Sequence, residues 1–181
     1  LILDQIEEFL TGHRHGSEVE RALVTVLFTD IVDSTTLAAR LGNAQWLDLL
    51  KRHDQIIGNE LARFGGKLVE RTGDGTLATF DRPGRAIDCA VSLHEAMASL
   101  NLKLRAGLHT AEVEVREDGR IGGIGVHIGA RVMANAGAGE VWVSHTVQNL
   151  LMGSNYRLVD RGSYQLAGVP GGWVLFAVQP D

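Results

Sequence analysis

The sequence has a single cysteine, Cys89, in 181 residues. No intrachain disulfide can form, so a reducing compartment, the cytoplasm, is the expected location. No apolar run approaches the ~18 residues that cross a bilayer. Positive charge is not in excess either: 17 Lys and Arg stand against 22 Asp and Glu, a net charge of −5. That removes the electrostatic ground for expecting nucleic-acid binding. A phosphorylated substrate stays open, because metal ions can supply the missing positive charge. There is no G-x-S-x-G elbow to support a hydrolase triad, no G-G-D-E-F segment, no internal repeat and no low-complexity tract. No signal peptide is visible. The first residue is Leu1 rather than Met, so the chain is expected to be a piece of something longer.

What is present is enough for a core. An apolar fraction of 45% with 22% charged residues fits one soluble domain plus a short extension. Ile2, Ile6, Phe9 and Leu10 share a helical stripe, and Thr11 to Ser17 read as a linker. Residues 1–20 are therefore a helical leader and linker from an upstream region, and 21–181 form the main domain. Ala22 to Phe28 is a buried-strand run with Asp30 at its exit. Ser34 and Thr35 are N-cap candidates for a helix through Leu41 that restarts near Asn43 and ends at Gly65-Gly66. Lys67 to Phe80 reads as a hairpin around Gly73-Asp74-Gly75. Pro83 opens a further helix, Leu102 to Val115 is strand, and a glycine-rich segment from Ile121 leads into a helix near Arg131. Val141–Val143, Tyr156–Val159 and Trp173–Val178 are strands. The order predicts an α+β fold: a ferredoxin-like palm (βαββαβ), an antiparallel sheet with helices on one face, followed by αβ and β-hairpin elements.

Asp30 and Asp74 lie 44 residues apart, one at a strand exit and one at a hairpin tip. A palm sheet sets that strand beside that hairpin, so the two carboxylates can converge. Close carboxylates repel unless a cation or proton joins them. Hard oxygen ligands suit Mg²⁺ or Mn²⁺ with substrate phosphates in the coordination shell. The plain alternative is that Asp74 serves the turn and Asp30 caps a helix. Ile31, Val32, Asp33, Ser34 and Thr35 run into a helix N-terminus, where free N–H groups and the dipole favour a phosphate, or where an ordinary cap suffices. Gly122 to Arg131 lacks the spacing of a dinucleotide loop. Its His127 and Arg131 are four apart and share one helix face. They can contact a ribose and a phosphate, or be surface residues. Cys89 reads as a buried small side chain. His13 and His15 read as solvated, and His94, His109 and His145 as isolated.

Taken together, Phe28-Thr-Asp30-Ile-Val-Asp-Ser-Thr35, Gly73-Asp74-Gly75, Gly122-Gly-Ile-Gly-Val-His-Ile-Gly-Ala-Arg131 and Gly139-Glu-Val-Trp-Val-Ser144 resemble the catalytic domain of class III nucleotidyl cyclases, above all mycobacterial members. The resemblance covers about Ala22 to Val178. It implies two Mg²⁺ or Mn²⁺ ions per site, held by Asp30, Asp74 and the Ile31 carbonyl. It implies attack of a ribose 3′-hydroxyl on the α-phosphorus of its own nucleoside triphosphate, with loss of pyrophosphate. Arg131 matches the arginine that stabilises the transition state, and His127 stands where many members have a ribose-orienting asparagine. Sites in this family form across a homodimer interface, so a monomer should be inactive.

Besides His127, three positions depart from the adenylyl cyclase pattern. Glu70 and Arg120 stand where a purine-reading Lys/Asp pair is usual, with Asp118 nearby. Ala167 stands where many members have a phosphate-holding lysine. A carboxylate at position 70 suits the N1–H and amine of guanine, whereas adenine N1 needs a donor. Alternatively, Glu70 and Arg120 pair with one another and read nothing. The expected function is an adenylyl cyclase. The alternatives are a guanylyl cyclase and a weakly active, nucleotide-binding regulatory domain.

Overall fold

A computed structural model describes residues 19–179. The leader stripe, the linker and His13 and His15 lie outside the described residues. Eight strands and five helices follow one another as β1 (Glu20–Ile31), α1 (Ser34–Leu41), α2 (Asn43–Phe64), β2 (Lys67–Thr72), β3 (Gly75–Phe80), α3 (Pro83–Ala98), β4 (Leu104–Val115), β5 (Ile121–Gly122), α4 (Ile124–Asn135), β6 (Val141–Ser144), α5 (His145–Leu150), β7 (Leu158–Gln165) and β8 (Gly172–Val178). The sheet order is β2-β3-β1-β4-β6-β8-β7, with β5 paired to β4. β1 pairs antiparallel with both β3 and β4, which is the palm arrangement. β4 and β6 run parallel, and β7 and β8 close the far edge as a hairpin.

Alternation along β1 and β4 assigns the two faces. Leu27, Ile31, Leu104, Ala106 and Leu108 join Ile57 and Leu61 of α2 and Ala86, Ile87, Ala90 and Leu93 of α3 in the main core. The opposite face carries Val26, Phe28, Asp30, Arg105, Gly107 and His109, which meet as cross-strand pairs. The palm helices thus share one face as expected, and α4, from the αβ element that follows the palm, packs on the second face. Glycines make that packing possible. A Cβ on Gly107 would come 2.1 Å from the Met133 backbone nitrogen, and one on Gly129 would come 2.5 Å from Val26. The sequence pattern also omits α5, a helix of six residues capped by Ser144, whose Oγ accepts from the Val147 N–H at 3.4 Å.

The cap of α1 differs from expectation as well. Asp33, not Ser34 or Thr35, is its N-cap, in the left-handed region at φ 55° and without a side-chain cap bond. Its backbone carbonyl accepts from the Leu37 N–H. Cys89 is buried, as expected, and burial, with Glu60 and Asp88 nearby, pushes its thiol pKa up to about 12. His109 and His145 are not isolated: both rings contact Trp173, and His109 Nδ1 lies 2.7 Å from Ser144 Oγ. Among the described residues no helix is long and apolar enough to cross a membrane.

Candidate active site

The β1 exit and the β2–β3 turn meet on the second face. Hydrogen-bonded pairing of Thr72 with Gly75 leaves only Gly73 and Asp74 in the turn, and Gly73 takes φ 63°, which a side chain would disfavour. β1 lies directly beside β3, with Thr29 opposite Thr76. Asp30 and Asp74 therefore line one cavity of about 170 Å³, together with Glu70, Phe28 and Met133. A register shift between Leu68 and Glu70 places Glu70 opposite Leu77, on this same side.

The charged side chains that line the cavity are the carboxylates Asp30, Glu70 and Asp74. Two carboxylates, with the backbone of Ile31 next along the chain, are a hard donor set that fits Mg²⁺ or Mn²⁺ better than a softer metal. The Ile31 side chain is buried in the core, and Ile31 is not among the residues that line the cavity. Among the described residues no group of three or more His, Cys, Asp or Glu side chains is placed to hold a metal. A cation at Asp30 and Asp74 thus needs further oxygens from backbone, water or substrate.

Sequence reasoning missed Arg105. It faces Asp30 across the β1–β4 pairing, and its Nε and Nη2 donate to the two Asp30 carboxylate oxygens at 2.7 and 2.8 Å. The Asp30 hydrogen bonds hold the guanidinium proton more tightly than usual, against the effect of burial, and the charges of Asp30 and Asp74 add to this. The available signal was a lone cation between Leu104 and Ala106 in a strand that otherwise enters the core.

The other expected residues lie elsewhere in the chain. His127 and Arg131 are exposed, one turn apart on α4, and neither lines the cavity. Arg131 Nε donates to the Ala167 carbonyl at 3.3 Å. Arg120 does not pair with Glu70. Its Nε donates to Asp118 at 2.6 Å and its backbone N–H to the same carboxylate at 3.0 Å, which holds the Asp118 carboxyl below the usual range. Val32 borders a separate hollow with Asp33 and Lys103, and Ser34 and Thr35 form the first turn of α1.

The chain matches the family model described as "Adenylate and Guanylate cyclase catalytic domain" over residues 18–179. It is 26% identical over 159 residues to adenylate cyclase 1 of Rhizobium meliloti, covering 83% of this chain and 22% of that protein. It is 30% identical over 164 residues to an uncharacterised protein of Mycobacterium tuberculosis, covering 87% of this chain and 56% of that one. The chain thus spans between about a fifth and just over half of these relatives. The adenylyl cyclase CyaB from P. aeruginosa superposes with a TM-score of 0.83 at 22% identity, covering 90% of this chain and 96% of that one. With the family model spanning nearly all of the described residues, the chain belongs to the class III adenylyl and guanylyl cyclase catalytic domains.

Proposed function

We propose that this domain is an adenylyl cyclase, converting ATP to 3′,5′-cyclic AMP and pyrophosphate at a site shared by two copies of the chain. The observation that carries the proposal is the meeting of Asp30 and Asp74 in one cavity on the second sheet face. Asp30 and Asp74 would hold divalent cations, which would lower the pKa of the ribose 3′-hydroxyl and neutralise charge on the attacked phosphate. The oxygen of that hydroxyl bonds to the α-phosphorus, its proton passes to solvent, and the bond to pyrophosphate breaks. Asp30 and Asp74 supply the negative charge that would hold the cations, and the Ile31 carbonyl would add a neutral oxygen. Ser34 and Thr35, in the first turn of α1, offer backbone N–H groups to the phosphates, whereas the Val32 N–H is already donated to the Lys103 carbonyl at 2.9 Å. Positioning and electrostatics dominate this chemistry, with little covalent work for the protein.

Two observations support a shared site. A cavity of about 170 Å³ is smaller than the ~300–1,000 Å³ of a typical small-molecule site, so a nucleoside triphosphate needs further walls. His127 and Arg131 lie on an exposed helix face away from the acids of their own chain. In a two-fold dimer the same surface is used twice, and His127 and Arg131 of one copy serve the acids of the other. Arg131 then stabilises the charge of the transition state, and His127 donates a hydrogen bond to the ribose. Ala167 leaves no cation at the position of the phosphate-holding lysine, so the triphosphate is bound more weakly than with that lysine present.

A guanylyl cyclase is the second reading, favoured by Glu70, an exposed carboxylate on the site face able to accept from guanine N1–H. Purified protein incubated with Mn²⁺ and either ATP or GTP decides between them. Cyclic AMP as the main product supports the first reading, and cyclic GMP as the main product supports the second. No cyclic product from either nucleotide contradicts both and leaves a nucleotide-binding regulatory domain.

A further inference from the structure

Arg105 does more than accompany Asp30. Its two donors to the carboxylate are the parallel bonds of a fork, a geometry that is strong and fixed in direction. A third donor, Nη1, reaches the carbonyl of Ala134 at 3.1 Å, in the last turn of α4. Helix-end carbonyls lack intrahelical partners, and a basic side chain satisfies them well. One planar group therefore ties a β1 carboxylate to the end of the helix that carries His127 and Arg131. The Asp30 side chain is about one-fifth exposed and that of Arg105 about one-third, so solvent screens this contact only in part.

A divalent cation that bonds Asp30 meets oxygens already engaged and a positive group within 3 Å of them. Like charges that close repel, and a carboxylate has a limited set of lone pairs to share. We propose that Arg105 is a positioning residue: it rests on Asp30 as a built-in counter-ion, competes with the divalent cation for it, and transmits the outcome to the end of α4. This rests on the reading of Asp30 as a metal ligand. Lysine is a poor replacement, because a single ammonium cannot hold both carboxylate oxygens and the Ala134 carbonyl in one plane.

The test is Mn²⁺ binding to the nucleotide-free chain, followed by the electron paramagnetic resonance signal of free Mn²⁺. Arg105→Gln is expected to tighten binding by roughly tenfold, through loss of the competing charge. Arg105→Lys is expected to fall between Arg105→Gln and the wild type. Hydrogen exchange supplies a second readout. Added Mn²⁺ speeds exchange of the backbone amides of residues 132–136 in the wild type and leaves Arg105→Gln unchanged. A wild type that binds Mn²⁺ no better than Asp30→Asn overturns the metal reading, and the Arg105 proposal with it. A wild type that binds Mn²⁺ while Arg105→Gln binds it equally or more weakly overturns the Arg105 proposal alone. Should Arg105→Gln fail to fold, Arg105→Lys decides: tighter binding than the wild type supports the proposal, and equal or weaker binding overturns it.

Discussion

Asp74 is half of the proposed cation site, and its position depends on a two-residue turn. Replacing it should remove chemistry without removing the fold, because the turn conformation is supplied by Gly73 at φ 63°. Asp74→Ala is expected to lower cyclic-nucleotide formation by more than ~100-fold, the size of several kcal/mol of lost charge stabilisation. A steady-state assay with saturating Mn²⁺, beside a thermal melt within a few degrees of the wild type, checks this. Glu70 tests a different property. Exchanging its acceptor for a donor should favour adenine over guanine, by roughly 5- to 100-fold if a mismatched buried polar group costs ~1–3 kcal/mol. Glu70→Lys is therefore expected to raise the ATP/GTP ratio of kcat/KM, and an unchanged ratio means that position 70 does not read the base. The acids themselves were legible because each sits at a strand end beside turn-forming residues. Arg105 was not, because a cross-strand partner depends on register, and register is not written in the spacing between positions 30 and 105.

Among the elements, α4 carries most of the argument. It approaches the sheet closely because Gly107, Gly125 and Gly129 lack side chains at the contact. Gly107→Ala would set a methyl group against backbone at Met133, which cannot move as the end of a flexible side chain can. Overpacking of this kind costs roughly 1–3 kcal/mol or more. Urea unfolding of Gly107→Ala should show a lower midpoint with an unchanged slope, and activity should fall as His127 and Arg131 shift. The elements themselves were largely readable: β1, the β2–β3 hairpin, α2 and α3 follow hydrophobic periods and turn residues. Three features were not. α4 crosses to the opposite face because of tertiary packing at single glycines. Short α5 has too few turns to show a period. The α1 cap falls on Asp33 because the backbone there turns left-handed, which favours the residue before Ser34.

At the scale of the whole molecule, the buried His109 and the half-buried His94 link stability to pH. Burial lowers the pKa values of His94 and His109 to about 4, with His145 adding to the effect at His109. An unfolded histidine titrates near 6.5, so between pH 6.5 and 4 the unfolded chain binds more protons than the folded one. Their contribution is fully present above pH 6.5 and is lost as pH falls toward 4. At pH 5 the loss is roughly 2 kcal/mol per histidine. Urea midpoints measured from pH 7.5 to 4.5 should fall below pH 6.5, and replacing both residues with Gln should flatten that slope.

Sharing of the site between two copies also belongs to the whole molecule, because His127 and Arg131 do not line the cavity of the acids in their own chain. Mixing Asp30→Ala with Arg131→Ala tests it directly. Each variant alone should be nearly inactive. An equimolar mixture allowed to exchange subunits forms heterodimers in which one of the two sites is complete, and activity should recover to about a quarter of the wild type. An active wild type whose two inactive variants, both folded, give no product on mixing would contradict a site built from both copies.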